Sequence, residues 1–165
     1  MTDDVARLVA ALKARGWTLG IAESLTGGAL AAEIVTVPGA SATLLGGVVA
    51  YATALKETLL GVNAALLDEH GPVHAEVAAQ MALGVRSAVQ VAGRPADVGI
   101  STTGIAGPDS PDGQPVGTVH VGVAAPGGVR TEQFRFDGDR AAVRAQAVDA
   151  AILAALTAVQ SAAGE

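Results

Sequence analysis

Apolar positions recur along this chain with two different periods, and the changes between them mark out its elements. Val5, Leu8, Val9 and Leu12 repeat at helical spacing, and Gly16 stops that helix. WTLGIA (17–22) is short, apolar and unbroken, which predicts a buried strand. ESLTGG (23–28) turns into a second helix, with Ser24 or Thr26 as its expected cap and Leu30 and Ile34 on its inner face. VPGAS (37–41) ends it. LLGGVVAY (44–51) reads as another buried strand, followed by a helix over 53–60 and a short helical piece between Asn63 and Pro72. Val77, Met81, Val85 and Val89 mark a long amphipathic helix, and DVGIST (97–102) a third strand.

The Gly- and Pro-rich stretch GIAGPDSPDGQPVG (104–117) predicts a long loop, and loops of that length are often functional. GTVHVGVA (117–124) and VRTEQFRF (129–136) flank APGG and predict an antiparallel hairpin. Arg140 to Gln160 is the closing helix, with Val148, Ile152, Leu156 and Val159 inward. Strands separated by helices, then a hairpin and a helix, predict one α/β domain over 1–165 with a mixed, mostly parallel sheet. If the first three strands are parallel, their carboxyl ends share an edge. That edge carries Ser24, then Tyr51 with Lys56, then Thr103 with Gly104. Open α/β sheets bind ligands there.

Composition narrows what such an edge can do. Aromatics make up 2% of the 165 residues, so the core must be built from Ala, Val, Leu and Ile. The formal charge of −6 argues against direct nucleic-acid binding, which needs a basic footprint. There is no cysteine, which excludes a disulfide scaffold, a thiolate nucleophile and a Cys-ligated metal. The amphipathic, acidic N-terminus is not a secretory signal, and no apolar run is expected to span a bilayer; a cytoplasmic location follows by default. Ala- and Val-rich helices leave a homo-oligomer open.

Several residues can carry chemistry. Ser24 sits in a strand-to-helix turn, where its hydroxyl can face solvent beside free N–H groups from about Thr26 to Gly28. Those groups can bind an oxyanion or a phosphate, and Gly27 and Gly28 would let a ligand approach closely. A helix cap is the commoner role of such a serine. Lys56 is one of two lysines, and Ser–Lys pairs are a known hydrolytic arrangement. From the sequence alone, a solvated lysine beside Glu57 is the more ordinary reading. Tyr51 can hydrogen-bond a substrate or face a cationic ring, or simply sit at the rim of the core. Arg140 suits a phosphate or carboxylate, or an ion pair with Asp137 or Asp139. His70, His74 and His120 do not form a metal-ligand pattern. TTGIAGPD is neither a Walker loop nor a dinucleotide fingerprint.

AESLTGG, GGVVAYATALKETLLGV, TTGIAGPD, PVGTVHVGVA and FDGDR occur in this order over nearly the whole chain. Together they resemble the CinA C-terminal domain family, whose members include nicotinamide-nucleotide amidohydrolases. The resemblance implies a three-layer α/β/α fold, no cofactor, and conversion of nicotinamide mononucleotide to nicotinic acid mononucleotide and ammonia. It implies Ser24 as nucleophile, Lys56 as base and Tyr51 as assistant. Thr103 and Gly104 would line the site, and Arg140 would help to bind substrate. With no room for the larger N-terminal domain of some relatives, the chain resembles the stand-alone form. Leu25, Thr53 and His74 stand where the family usually has Cys, Asn and Ser, and Ser110-Pro111 where a Gly pair is common. The alternatives are a nucleotide-binding module without catalysis, an interaction protein of competence or DNA-damage contexts, and an amidase for another small amide.

Overall fold

A computed structural model of the chain describes residues 2–162. The hydrophobic periods resolve into six α-helices and five strands among those residues. The helices are α1 (Thr2–Arg15), α2 (Ala29–Val35), α3 (Thr53–Leu60), α4 (Ala64–His70), α5 (Ala75–Ala88) and α6 (Arg140–Ser161). The strands are β1 (Leu19–Glu23), β2 (Leu44–Val49), β3 (Val98–Gly104), β4 (Thr118–Ala125) and β5 (Gly128–Arg135). A short 3-10 turn at Ala40–Ala42, before β2, has no periodic signal in the sequence. α1 carries Asp3 and Asp4 in its first turn and Lys13 and Arg15 in its last, a charge order that complements the helix dipole.

The sheet order is β2-β1-β3-β4-β5, with β1 parallel to both β2 and β3, and the β3–β4 and β4–β5 pairs antiparallel. The three layers of an α/β/α sandwich follow. α1, α2 and α6 cover one face over a core that includes Leu8, Leu30, Ile100 and Ile152. α3 and α5 cover the other over Leu60, Val77, Met81 and Val85. α5 lies very close to the sheet. A Cβ added at Gly99 would collide with the Ala82 carbonyl, and one at Gly122 with the Ala78 carbonyl. Glycine at these strand positions is what allows the approach.

The 22-residue α6 departs from the expectation of no membrane-length apolar run. By length and composition it is apolar enough to cross a bilayer. It is instead a core helix: Val143, Ala147, Ala151, Ile152 and Val159 are buried against the sheet and α1.

Connectivity places the functional edge. β1 leads through α2 to β2 on one side of it; β2 then leads through α3, α4 and α5 back across to β3 on the other. The helices of these two crossings lie on opposite faces of the sheet. The chain therefore reverses direction at the carboxyl end of β1, where diverging connections leave a crevice. Ser24 is the next residue.

Candidate active site

The turn after β1 is built differently from the expected capped helix. Neither Ser24 nor Thr26 caps α2. Its N-cap is Gly28, in the left-handed region at φ 102°, with no side-chain cap bond of its own. The capping group is the Glu23 carboxylate, which accepts from the N–H of Leu30 at 2.8 Å and of Ala31 at 3.1 Å. Thr26 is fully buried and shares a 2.8 Å hydroxyl–hydroxyl bond with Thr102. The Gly27 N–H donates to the Ser24 carbonyl. Thr26, Gly27 and Gly28 thus build the turn and do not line the cavity described below. Of the N–H groups expected to receive an oxyanion or phosphate, that of Gly27 is used within the turn, and the internal acid takes those of the first turn of α2, Leu30 and Ala31.

Ser24 itself is free of that duty. Its backbone N–H is tied to the Thr102 carbonyl, and its Oγ accepts a 3.0 Å hydrogen bond from Lys56 Nζ. Lys56 also donates to the Ala50 carbonyl at 2.7 Å. Far from being solvated beside Glu57, Lys56 is 1% exposed, on the same face of α3 as buried Leu60. Burial disfavours the ammonium and lowers its pKa from 10.5 to about 8. Its two hydrogen-bond partners are both neutral, so no carboxylate bonded to the amine restores the charged form.

The pair opens into a cavity of about 380 Å³, within the usual range for small-molecule sites. Ser24, Leu25, Tyr51, Thr53, Lys56, Thr103, Gly104 and Arg140 line it together with the 105–112 loop, including Asp109 and Asp112. The structure therefore brings together six of the expected site residues: Ser24, Tyr51, Lys56, Thr103, Gly104 and Arg140. The Thr103 hydroxyl donates to the Pro72 carbonyl at 2.7 Å, fixing the loop before α5. Tyr51 is 59% exposed, and its OH accepts from Arg140 at 2.9 Å. Arg140 also donates to the Gly107 carbonyl at 2.8 Å, in place of the expected pairing with Asp137 or Asp139. Asp139 instead caps α6 by accepting from the Ala142 N–H. Asp112 is bonded within its own turn, to Ser110 and Gln114.

His70 and His74 stack with centroids 4.5 Å apart, and His74 caps α5 through Nδ1. His120 lies opposite Thr103 on β4. Its burial, with His74 nearby, lowers its pKa, and its Nδ1 has no partner among the described residues. Among those residues, no group of three or more His, Asp or Glu side chains is placed to hold a metal ion. A somewhat larger hollow, about 420 Å³, lies between α6 and β5 around Phe134, Phe136 and Asp149. It contains no nucleophile–base pair, so size alone does not locate the chemistry.

Sequence reasoning missed Glu23, Arg144 and Asp109. Arg144 donates through Nε to the Leu25 carbonyl and through Nη2 to the Thr26 carbonyl, each at 2.9 Å. Nothing near it in sequence signals that reach of 118 to 119 residues.

The fold and site define an α/β domain with a buried Ser–Lys pair at the switch point of its sheet. Residues 2–159 match the model of the CinA C-terminal domain, and the chain belongs to that family. It is 47% identical over 138 residues to a CinA-like protein of Frankia casuarinae, covering 84% of this chain and 31% of that one. It is 50% identical over 141 residues to a CinA-like protein of an Anaeromyxobacter species, covering 84% and 33%. The chain thus spans about a third of the length of these curated relatives. Among solved structures it is similar to a CinA superfamily protein of Klebsiella pneumoniae, with a TM-score of 0.88 and 37% identity over 96% of this chain and 97% of that one. A competence or damage-inducible protein of Enterobacter asburiae superposes with a TM-score of 0.89 at 28% identity, covering 96% and 97%.

Proposed function

We propose that this chain hydrolyses the carboxamide of nicotinamide mononucleotide, giving nicotinic acid mononucleotide and ammonia. The observation that carries the reading is the 3.0 Å contact between Ser24 Oγ and a buried Lys56 whose pKa lies near 8. A lysine with its ordinary pKa would be almost wholly protonated at neutral pH and unable to accept a proton. At about 8, roughly a tenth of Lys56 is neutral at pH 7, enough to serve as a base.

Neutral Lys56 takes the Ser24 proton as Oγ bonds to the carboxamide carbon. The carbonyl π pair moves to oxygen, leaving an oxyanion. The Leu25 N–H, directly after the nucleophile and, like those of Thr26 and Gly28, without an acceptor among the described residues, is the backbone donor assigned to it, since Leu25 alone of the three lines the cavity. Collapse of the intermediate breaks the C–N bond, and Lys56 returns the proton to the departing nitrogen, which leaves as ammonia. Water then adds to the acyl-enzyme with Lys56 again as base, the acyl–Oγ bond breaks, and Ser24 regains its proton.

The cavity suits a substrate that is cationic at one end and anionic at the other. Tyr51 and the exposed Asp109 carboxylate offer partners to a pyridinium. Arg140 is the group suited to its phosphate, since the start of α2 is taken by Glu23. The same reading makes the ligand a small nucleotide, needs no cofactor, and places the protein in the cytoplasm in nicotinamide-nucleotide recycling.

The test is ammonia release from nicotinamide mononucleotide, with chelator present, by wild type and Ser24→Ala. Release that resists chelator and disappears in the variant supports the mechanism. Folded wild type that binds the nucleotide without releasing ammonia points to a binding module. Release from a different amide only would move the substrate assignment. Equal release from both proteins would remove Ser24 from the chemistry.

A further inference from the structure

The segment carrying Ser24 is held from both sides by charged side chains that take no part in the proposed chemistry. On the strand side is Glu23, immediately before the serine. It is 2% exposed, and its two oxygens reach across the turn to the N–H groups of Leu30 and Ala31. On the helix side is Arg144 of α6, whose guanidinium takes the carbonyls of the two residues immediately after the serine, Leu25 and Thr26. Among the described residues neither side chain is in an ion pair.

Burying a carboxylate without a cation is costly unless dipoles compensate it. Here two peptide N–H groups at the positive end of α2 do so. An ordinary Ser, Thr or Asn cap at position 28 would satisfy the same N–H groups from within the turn and leave its entry unfixed. Capping from position 23 does something a local cap cannot. It ties the last residue of β1 to the first turn of α2 and closes 24–28 into a loop of fixed span. Arg144 then sets the orientation of that loop against the opposite layer. A serine held only by its own backbone bond could drift, and a displacement of about 1 Å at a reacting group can lower a rate about 100-fold.

We propose that Glu23 and Arg144 are positioning residues that hold Ser24 Oγ in line with Lys56. Neither touches the cavity, so neither contributes to substrate affinity. The inference rests on Ser24 being the nucleophile of the reaction proposed above.

Two variants test it: Glu23→Gln, which sets an amide NH2 against one of the capped N–H groups, and Arg144→Met, which keeps the aliphatic stem and frees both carbonyls. Each is followed by ammonia release from nicotinamide mononucleotide and, separately, by the rate at which a fluorophosphonate probe labels Ser24. The expected result is a fall in kcat and in labelling rate of about tenfold or more, with KM within about twofold of wild type. The pH midpoint of kcat/KM should stay near 8, because Lys56 is untouched. A merely structural role would lower the melting temperature but leave the folded protein reacting at the wild-type rate, and that result overturns the proposal. If Glu23→Gln does not fold, Arg144→Met decides alone. Wild type that is labelled but releases no ammonia removes the amide substrate and leaves the labelling rates to judge the clamp. Wild type that is not labelled and releases no ammonia overturns both.

Discussion

Lys56 gives the sharpest prediction, because one number governs both stability and activity. Lowering its pKa from 10.5 to about 8 means that the folded state disfavours the ammonium by roughly 3 kcal/mol. The sign follows from proton counting. Below pH 8 both the folded and unfolded chains hold the proton, and the folded state bears the full penalty. Between 8 and 10.5 the unfolded chain still holds a proton that the folded chain has released, so stability rises with pH. Above 10.5 the effect is complete. Lys56→Met keeps the length of the side chain and removes the titration. In urea unfolding, the stability of wild type relative to this variant should increase by roughly 2–3 kcal/mol between pH 7 and pH 10. Other titrations cancel in that difference. Because the chain has two lysines, Lys13 and Lys56, carbon NMR of labelled lysine shows two side-chain signals. The one absent from Lys56→Met should titrate near pH 8. The kcat/KM of wild type should rise with pH through the same midpoint and then level off. A difference in stability that does not change with pH, or a Lys56 signal still protonated at pH 10, would refute the desolvation argument and with it Lys56 as the base.

Two further outcomes follow from the geometry. Arg140→Ala removes the candidate phosphate-binding group and its bonds to Tyr51 and Gly107. It should raise KM for nicotinamide mononucleotide about tenfold or more while leaving the phosphate-free riboside nearly unchanged, as initial rates on the two substrates would show; an equal effect on both would remove the phosphate role. Gly99→Ala places a methyl against the Ala82 carbonyl and should cost at least about 1–3 kcal/mol in urea unfolding, because α5 must move off the sheet; an unchanged midpoint would contradict the close packing.

Much of the fold is written in local periodicity. The unbroken run ending near Glu23 is the buried strand it predicts, and APGG between two strand-forming runs is the hairpin turn. The run ending near Val49 is a strand but not the buried one expected, because it lies at the edge of the sheet and stays partly exposed, Val49 by 47%. The edge that gathers Ser24, Lys56 and Thr103 followed from parallel strands alone. What stayed hidden depends on contacts between distant segments. Nothing local shows that Glu23 turns back to cap a helix seven and eight residues later. The usual preferences favour a cap at Ser24 or Thr26 instead. The burial of Lys56 leaves a faint trace, since it stands four residues before Leu60 and shares its face of α3, but Leu55 and Leu59 of the same helix are exposed, so the apolar pattern does not mark which face is inward. Arg144 had no such trace, since its acceptors lie more than a hundred residues earlier.

The guanidinium of Arg140 joins Tyr51 after β2 to Gly107 in the loop between β3 and β4, while itself belonging to the first turn of α6. An anion that engages this group acts on the loop as well as on the arginine. By thermodynamic reciprocity, any change the anion makes in the ordering of the loop equals the change that ordering the loop makes in affinity for the anion. Substitutions at Ser110 or Pro111, remote from Ser24 in sequence, therefore have a route by which to retune the affinity for an anion held at Arg140.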